Sequence, residues 1–132
     1  MYERCAENVP YVDDPALIDS LNALIDEWQI DYVYPAHDSA LLRLTQERDR
    51  LHAAVVTSAE ETVEICRSKN RTYEYLAGAP YLPQSYPDAA AVPSYPVFIK
   101  PSVGQAADGA RRIDDREHLD EALADGVESA IC

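Results

Sequence analysis

Tyr95-Pro96-Val97-Phe98-Ile99-Lys100-Pro101 is a run of β-branched and aromatic residues framed by prolines, with a lysine at its far end. Such residues suit a pleated, buried surface, and proline is tolerated at strand ends but not inside a ladder. The run predicts a strand that stops at Lys100. Ser102-Val103-Gly104-Gln105-Ala106-Ala107-Asp108-Gly109 then has the small residues of a loop, and Ala110-Arg111-Arg112-Ile113 reads as a return strand. Asp114 with Glu117 predicts a capped helix start, and Leu119, Ala122 and Leu123 give that helix its apolar face. Gly126 ends it, which leaves Val127 to Cys132 as a further strand.

Upstream of the run, residues 80–96 hold Pro80, Pro83, Pro87, Pro93 and Pro96, which exclude helix and predict a linker with a short extended piece. Before it, Ser58-Ala59-Glu60-Glu61 is a capping box for a helix to about Arg67. Ser68 caps another from Lys69 to Ala77, ended by Gly78. In the first half, Asp14-Pro15 reads as an N-cap and first turn. Leu17, Ile18, Leu21, Leu24, Ile25 and Trp28 then recur at helical spacing to about Gln29. Asp31-Tyr32-Val33-Tyr34-Pro35 follows as a short buried strand. A helix capped by Asp38 or Ser39 runs through Leu51, with Leu41, Leu44 and Leu51 inward, and Ala53-Ala54-Val55-Val56 is the next strand. Helix, strand, helix, strand with apolar strands and short links belongs to a parallel sheet covered by helices.

The 132 residues carry 11 basic and 24 acidic side chains, a formal net charge of −13. That balance opposes nucleic acid, whose phosphates call for lysine and arginine. No apolar run is long enough to span a membrane, and no signal-peptide pattern opens the chain, so the expectation is a cytoplasmic protein with no membrane partner. Nine of the basic residues are arginine, and the two lysines are Lys69 and Lys100. Spread along the whole chain, the acidic residues resemble the hydrated surface of proteins from salt-loving organisms, a matter of solubility rather than fold. Cys5, Cys66 and Cys132 are too few and too far apart for a disulfide framework, and Cys66 reads as a small residue on a buried helix face. The nine tyrosines read mostly as core and rim. His37, His52 and His118 have no metal-ligand spacing, so no metal site is expected.

Three features then fall in order. A lysine stands on the first turn of a helix in Ser68-Lys69-Asn70-Arg71-Thr72-Tyr73, a lysine ends the strand Val97-Phe98-Ile99-Lys100-Pro101, and a small-residue loop follows. Two lysines reaching a ligand from a helix and a strand can neutralise phosphate from different sides, and a loop with few side chains lets backbone N–H groups approach. In this order the features resemble the ATP-grasp family, in the branch of the carbamoyl-phosphate synthase large subunit and related carboxylate–amine ligases. Asp31-Tyr32-Val33-Tyr34-Pro35-Ala36-His37-Asp38 is similar to the "D-x-v-x-P-x-x-D" turn of the domain preceding the grasp, and Leu44-Thr45-Gln46-Glu47-Arg48 continues its helix. Ser68-Lys69 matches the "D-K" opening of the grasp, Val97 to Pro101 matches "v-v-i-K-P", and residues 101–110 align with "P-R-x-G-x-G-S-x-G-V".

The resemblance implies an α/β chain in two parts. Residues 1–67 would form a truncated pre-ATP-grasp domain with a partial Rossmann-like parallel sheet, and 68–132 the start of a first ATP-grasp subdomain of α+β type. It implies ATP-dependent activation of a carboxylate as an acylphosphate, which an amine then attacks. Lys69 and Lys100 would contact the phosphates of ATP, and Gly104 and Gly109 would be the hinge glycines of the loop that closes over them. Magnesium would take its ligands from a downstream half, and no residue of this chain is expected to be catalytic or to ligate metal. The first half, with two predicted strands, would have exposed sheet edges and little core. The chain is therefore expected to be inactive alone, an N-terminal portion completed by a second polypeptide or a downstream segment. The pattern also departs from the family. Ser68 replaces aspartate, Ser102 arginine, Ala106 glycine, Ala107 serine and Ala110 valine, while Asp108 brings negative charge beside phosphate. Two other classes stay open at this point: a stand-alone nucleotide- or anion-binding module, and an acidic interaction protein without catalysis.

Overall fold

The computed structural model describes residues 4–105 and 107–132; Ala106, where the loop's second glycine is replaced, lies outside the described residues. The chain divides into two compact units, Met1–Glu64 and Ile65–Cys132.

The first unit holds α1 (Leu17–Trp28), β1 (Tyr32–Val33), α2 (Asp38–Gln46) and β2 (Ala54–Val55), and the division falls within α3 (Glu60–Arg67). β1 and β2 pair in parallel, Tyr32 opposite Ala54 and Val33 opposite Val55. A small parallel sheet with helices is thus present, at two strands. Leu17, Ile18 and Ile25 of α1, Leu44 of α2 and Leu51 form the core, with Val33 and Val55 packed on it. Thr45, also buried, donates its hydroxyl to the Leu41 carbonyl at 2.7 Å and meets the Thr57 hydroxyl at 2.7 Å.

Several ends differ from the sequence reading. α1 starts two residues after Pro15. The Asp14 side chain accepts from the Ala16 N–H at 2.8 Å and its carbonyl from the Leu17 N–H at 3.1 Å, so Asp14-Pro15 closes a turn ahead of the helix. His37, rather than Asp38 or Ser39, caps α2, its Nδ1 accepting from the Ser39 N–H at 3.3 Å. α2 stops at Gln46, and a single 3-10 turn (Arg48–Arg50) delivers Leu51 to the core from outside the helix. β1 is not a buried strand. Val33 faces the core, but alternation sends Tyr32 and Tyr34 outward, 71% and 77% exposed. With Tyr11, Tyr75 and Tyr81 also exposed, the tyrosines are not mostly core. Cys66 is exposed too, so its helix face is not the buried one.

The second unit holds α4 (Lys69–Tyr75), β3 (Val97–Pro101), β4 (Arg111–Ile113), α5 (Arg116–Leu123) and β5 (Ser129–Ile131). β3 is central and antiparallel to both neighbours, in the order β4-β3-β5. Val97 and Ile99 point to one face, where Ile113, Ile131, Leu119, Ala122 and Ala89 complete a core. α5 covers this face, and Leu119 is fully buried. Asp115, not Asp114, caps α5 by accepting from the His118 N–H at 3.0 Å. α4 ends two residues short of Ala77. Residues 80–96 are not wholly without helix. Asp88 caps a 3-10 turn at Ala89–Ala91, which Arg116 ties to α5 by donating to the Ala89 carbonyl at 2.9 Å. Three alanines and a good cap form this turn between the prolines, where a longer helix has no room. Tyr86 then adds to the outer edge of β5, its N–H donating to the Ile131 carbonyl at 2.9 Å.

Candidate functional site

Because side chains alternate along a strand, the residues between the core positions of β3 lie on the other face. These are Phe98 and Lys100, and the register sets Arg112 opposite Phe98 and Ala130 opposite Lys100. Phe98 is 50% exposed. Arg112 forms an ion pair with Asp114 at 2.7 Å. This face therefore carries Lys100 and Arg112 beside an exposed aromatic ring.

α4 comes to the Lys100 end of the face. Ser68 caps it, its Oγ accepting from the Arg71 N–H at 3.2 Å and lying 2.9 Å from the Ser102 Oγ. The Lys69 N–H donates to the Ser102 carbonyl at 2.8 Å, and the Ser102 N–H to the Glu128 carbonyl at 2.7 Å. Ser102 is 1% exposed, so α4, β5 and the end of β3 are knotted around one small buried residue. An arginine there would have to displace that junction. One turn along α4, the Tyr73 hydroxyl accepts from Lys100 Nζ at 2.8 Å, and Nζ lies 5.5 Å from the centre of the Tyr73 ring. The hydroxyl contact holds the Lys100 ammonium above the usual lysine value, against the opposing effect of partial burial, and Cys132 adds to the rise. Lys100 is thus cationic at neutral pH and held in place.

Lys69 and Lys100, 31 positions apart in the numbering, are both joined to one helix, the first by its backbone and the second through Tyr73. The two glycines differ. Gly109 has φ +70°, and a Cβ there would stand 2.7 Å from the Pro101 ring, so this position requires glycine. At Gly104 a Cβ would meet only an ordinary contact, 3.7 Å from Pro101. Between them the loop bonds to itself, the Asp108 N–H to the Gln105 carbonyl at 2.8 Å and the Ala110 N–H to the Ala107 carbonyl at 3.0 Å. Those two amides are therefore engaged within the loop. Ala107 takes φ +61°, a left-handed conformation unusual for alanine.

Tyr73 and Arg112 were missed by the sequence reading. Tyr73 stands four residues after Lys69, on the same helical face, and Arg112 precedes the core residue Ile113, so periodicity gives their faces but not their partners. Beside Tyr73 a cleft of about 410 Å³ opens, walled by Asn70, Glu74, Ser85, Tyr86 and Ser129. Among the described residues no three His, Cys, Asp or Glu side chains come together to hold a metal ion. No helix among them is long and apolar enough to cross a membrane.

No protein-family model matches the sequence, and no curated protein matches it. Solved structures do. A D-Ala:D-Ser ligase from Enterococcus faecalis is similar over 77% of this chain and 35% of its own, with TM-score 0.60 and 22% identity. Pyruvate carboxylase from Rhizobium etli is similar over 99% of this chain and 13% of its own, with TM-score 0.64 and 18% identity. The chain thus spans about a third of the ligase and a smaller part of the carboxylase. Both are ATP-grasp proteins, and this chain shares the fold of the matched part of each.

Proposed function

We propose that this chain is the N-terminal portion of an ATP-grasp ligase of the carbamoyl-phosphate synthase-like, carboxylate–amine branch, carrying part of an ATP site and inactive by itself. Residues 1–67 would be the truncated pre-ATP-grasp domain, Rossmann-like in type, and 68–132 part of the first grasp subdomain. The observation that carries the reading is the bond from the Lys69 N–H to the Ser102 carbonyl at 2.8 Å, two residues beyond Lys100. It brings the two lysines of the chain to one junction of helix, strand and loop.

In this reading Lys100 binds nucleotide phosphate from β3 and Lys69 from the first turn of α4. Gly109 lets the loop turn back against Pro101, and Gly104 is the other hinge glycine. Phosphoryl transfer depends chiefly on positioning and charge neutralisation, which two fixed cations supply. A cationic Lys100 with spare donors and a small-residue loop beside it fits a polyphosphate. Magnesium, when bound, would offset the charge of the phosphates. Its coordination is assigned to the missing half, as the family resemblance implies. A cytoplasmic location and completion by a second polypeptide or downstream segment belong to the same proposal.

The self-bonded loop and the fully engaged Ser102 favour a second reading, a nucleotide- or anion-binding module without turnover. Calorimetry with magnesium ATP in molar potassium chloride tests both. Saturable binding that Lys100→Ala abolishes supports a surviving half-site, and activity regained with a polypeptide supplying the missing half selects the ligase. Absence of binding by folded protein overturns the stand-alone module and leaves an inert portion of a ligase or an interaction protein.

A further inference from the structure

Resting on the phosphate role given to Lys100 above, we propose that the Tyr73 hydroxyl is a second ligand for the same anion, so that Lys100 and Tyr73 form a two-atom clamp for one phosphate group. An ammonium only donates, so in the 2.8 Å contact the Tyr73 oxygen is the acceptor and its own proton is directed elsewhere. That proton is left to donate to a further oxygen. Lys100 spends one of its three N–H donors on Tyr73 and has Cys132 close enough to engage a second, which leaves at least one. Nζ and Oη are then neighbouring donors, at a spacing that two oxygens of one tetrahedral anion can bridge.

The pair is assembled before any ligand arrives. Lys100 extends from a strand bonded on both sides, and Tyr73 from a helix whose first residue is bonded to Ser102. A long side chain placed in advance loses less freedom on binding. The clamp suits an oxyanion with at least two free oxygens over a halide. Glu74, the next residue, walls the adjoining cleft with negative charge. It opposes the anion and keeps it at the Lys100 end, toward the loop.

The chain has two lysines, so protein carrying ¹³C-lysine gives two ε-methylene signals, assigned with Lys69→Arg. Inorganic pyrophosphate is the probe. The Lys100 signal is expected to move saturably. In Tyr73→Phe, which keeps the ring, the dissociation constant should rise about ten- to a hundredfold, the loss of a hydrogen bond to a charged group. The Lys100 titration midpoint should fall in the same variant, and Glu74→Gln should bind pyrophosphate more tightly. Unchanged affinity in folded Tyr73→Phe overturns the clamp, as does a Lys100 signal that pyrophosphate leaves in place. The two proposals separate cleanly. Magnesium ATP binding lost in Lys100→Ala but intact in Tyr73→Phe keeps the nucleotide reading and removes the clamp. Tyr73-dependent pyrophosphate binding, with ATP bound no more tightly, keeps the clamp and removes the nucleotide.

Discussion

Ser68 and Ser102 lie 34 residues apart in sequence and 2.9 Å apart between hydroxyl oxygens. They are two of the positions where the chain departs from the ATP-grasp pattern, aspartate at the first and arginine at the second. The departures meet at one contact, where two short neutral side chains stand in place of two charged ones. Ser68→Ala removes both the α4 cap and this contact, and should cost about 1 kcal/mol in urea unfolding. Ser102→Ala should cost a similar amount, and the double variant less than the total of the two, because they share the bond. Full additivity would show that the hydroxyls do not interact.

The two loop glycines should respond oppositely to one methyl group. Gly109→Ala places a Cβ 2.7 Å from the Pro101 ring at φ +70°, and should destabilise by about 1–3 kcal/mol. Gly104→Ala meets ordinary contact distance, and should stay within about 0.5 kcal/mol of the parent. Denaturant midpoints of the two variants decide the matter, and equal losses would contradict the loop geometry.

His118 and Asp115 give the second unit a pH window. The Asp115 carboxylate, accepting from the His118 ring at 2.8 Å, lifts His118 above the usual histidine value. His118, through its backbone N–H first and its ring second, lowers Asp115. The raised histidine stabilises fully below its unfolded value near pH 6.5, and that contribution is lost as pH rises through the folded value. The lowered aspartate stabilises above its unfolded value near pH 3.9, and its share is lost as pH falls through the folded value. Tm measured from pH 6 to pH 9 should therefore decline by an increment that His118→Gln abolishes. Both groups are exposed, so the effect is small and weakens with salt.

Charge is divided unequally. Residues 1–64 hold four basic and fourteen acidic side chains, net −10, and residues 65–132 hold seven and ten, net −3. Adding potassium chloride should stabilise the first unit more, because screening relieves more repulsion there. Trp28, the one tryptophan, reports on the first unit by fluorescence, and the His118 ring signal reports on the second by NMR. Coincident salt dependence at both probes would show that the units unfold together.

Much of the second unit was legible because its signals are local. β3 is a short β-branched run between prolines, and α5 a capped helix with a clear apolar face, so strand, loop, strand and helix come out in order. The ends were less legible. Asp38 and Asp114 each sit beside another group able to cap, and hydrogen-bond geometry chooses between neighbours that composition leaves equal. The first unit misled more. Tyr32 and Tyr34 flank Val33 in an apolar run, and only the placement of a helix layer decides which face is wet. The lysines at the site were visible as motif positions. Tyr73 was not, because its role depends on a strand residue 27 positions away.

β3 is five residues long, and its odd and even positions answer to different demands. Val97 and Ile99 meet the core, while Phe98 and Lys100 meet whatever the opposite face receives. Under the proposed reading, selection on folding and selection on ligand thus fall on interleaved letters of one short word. Either set is free to drift while the other is kept, so such a strand preserves its place in the sheet long after the chemistry beside it has changed.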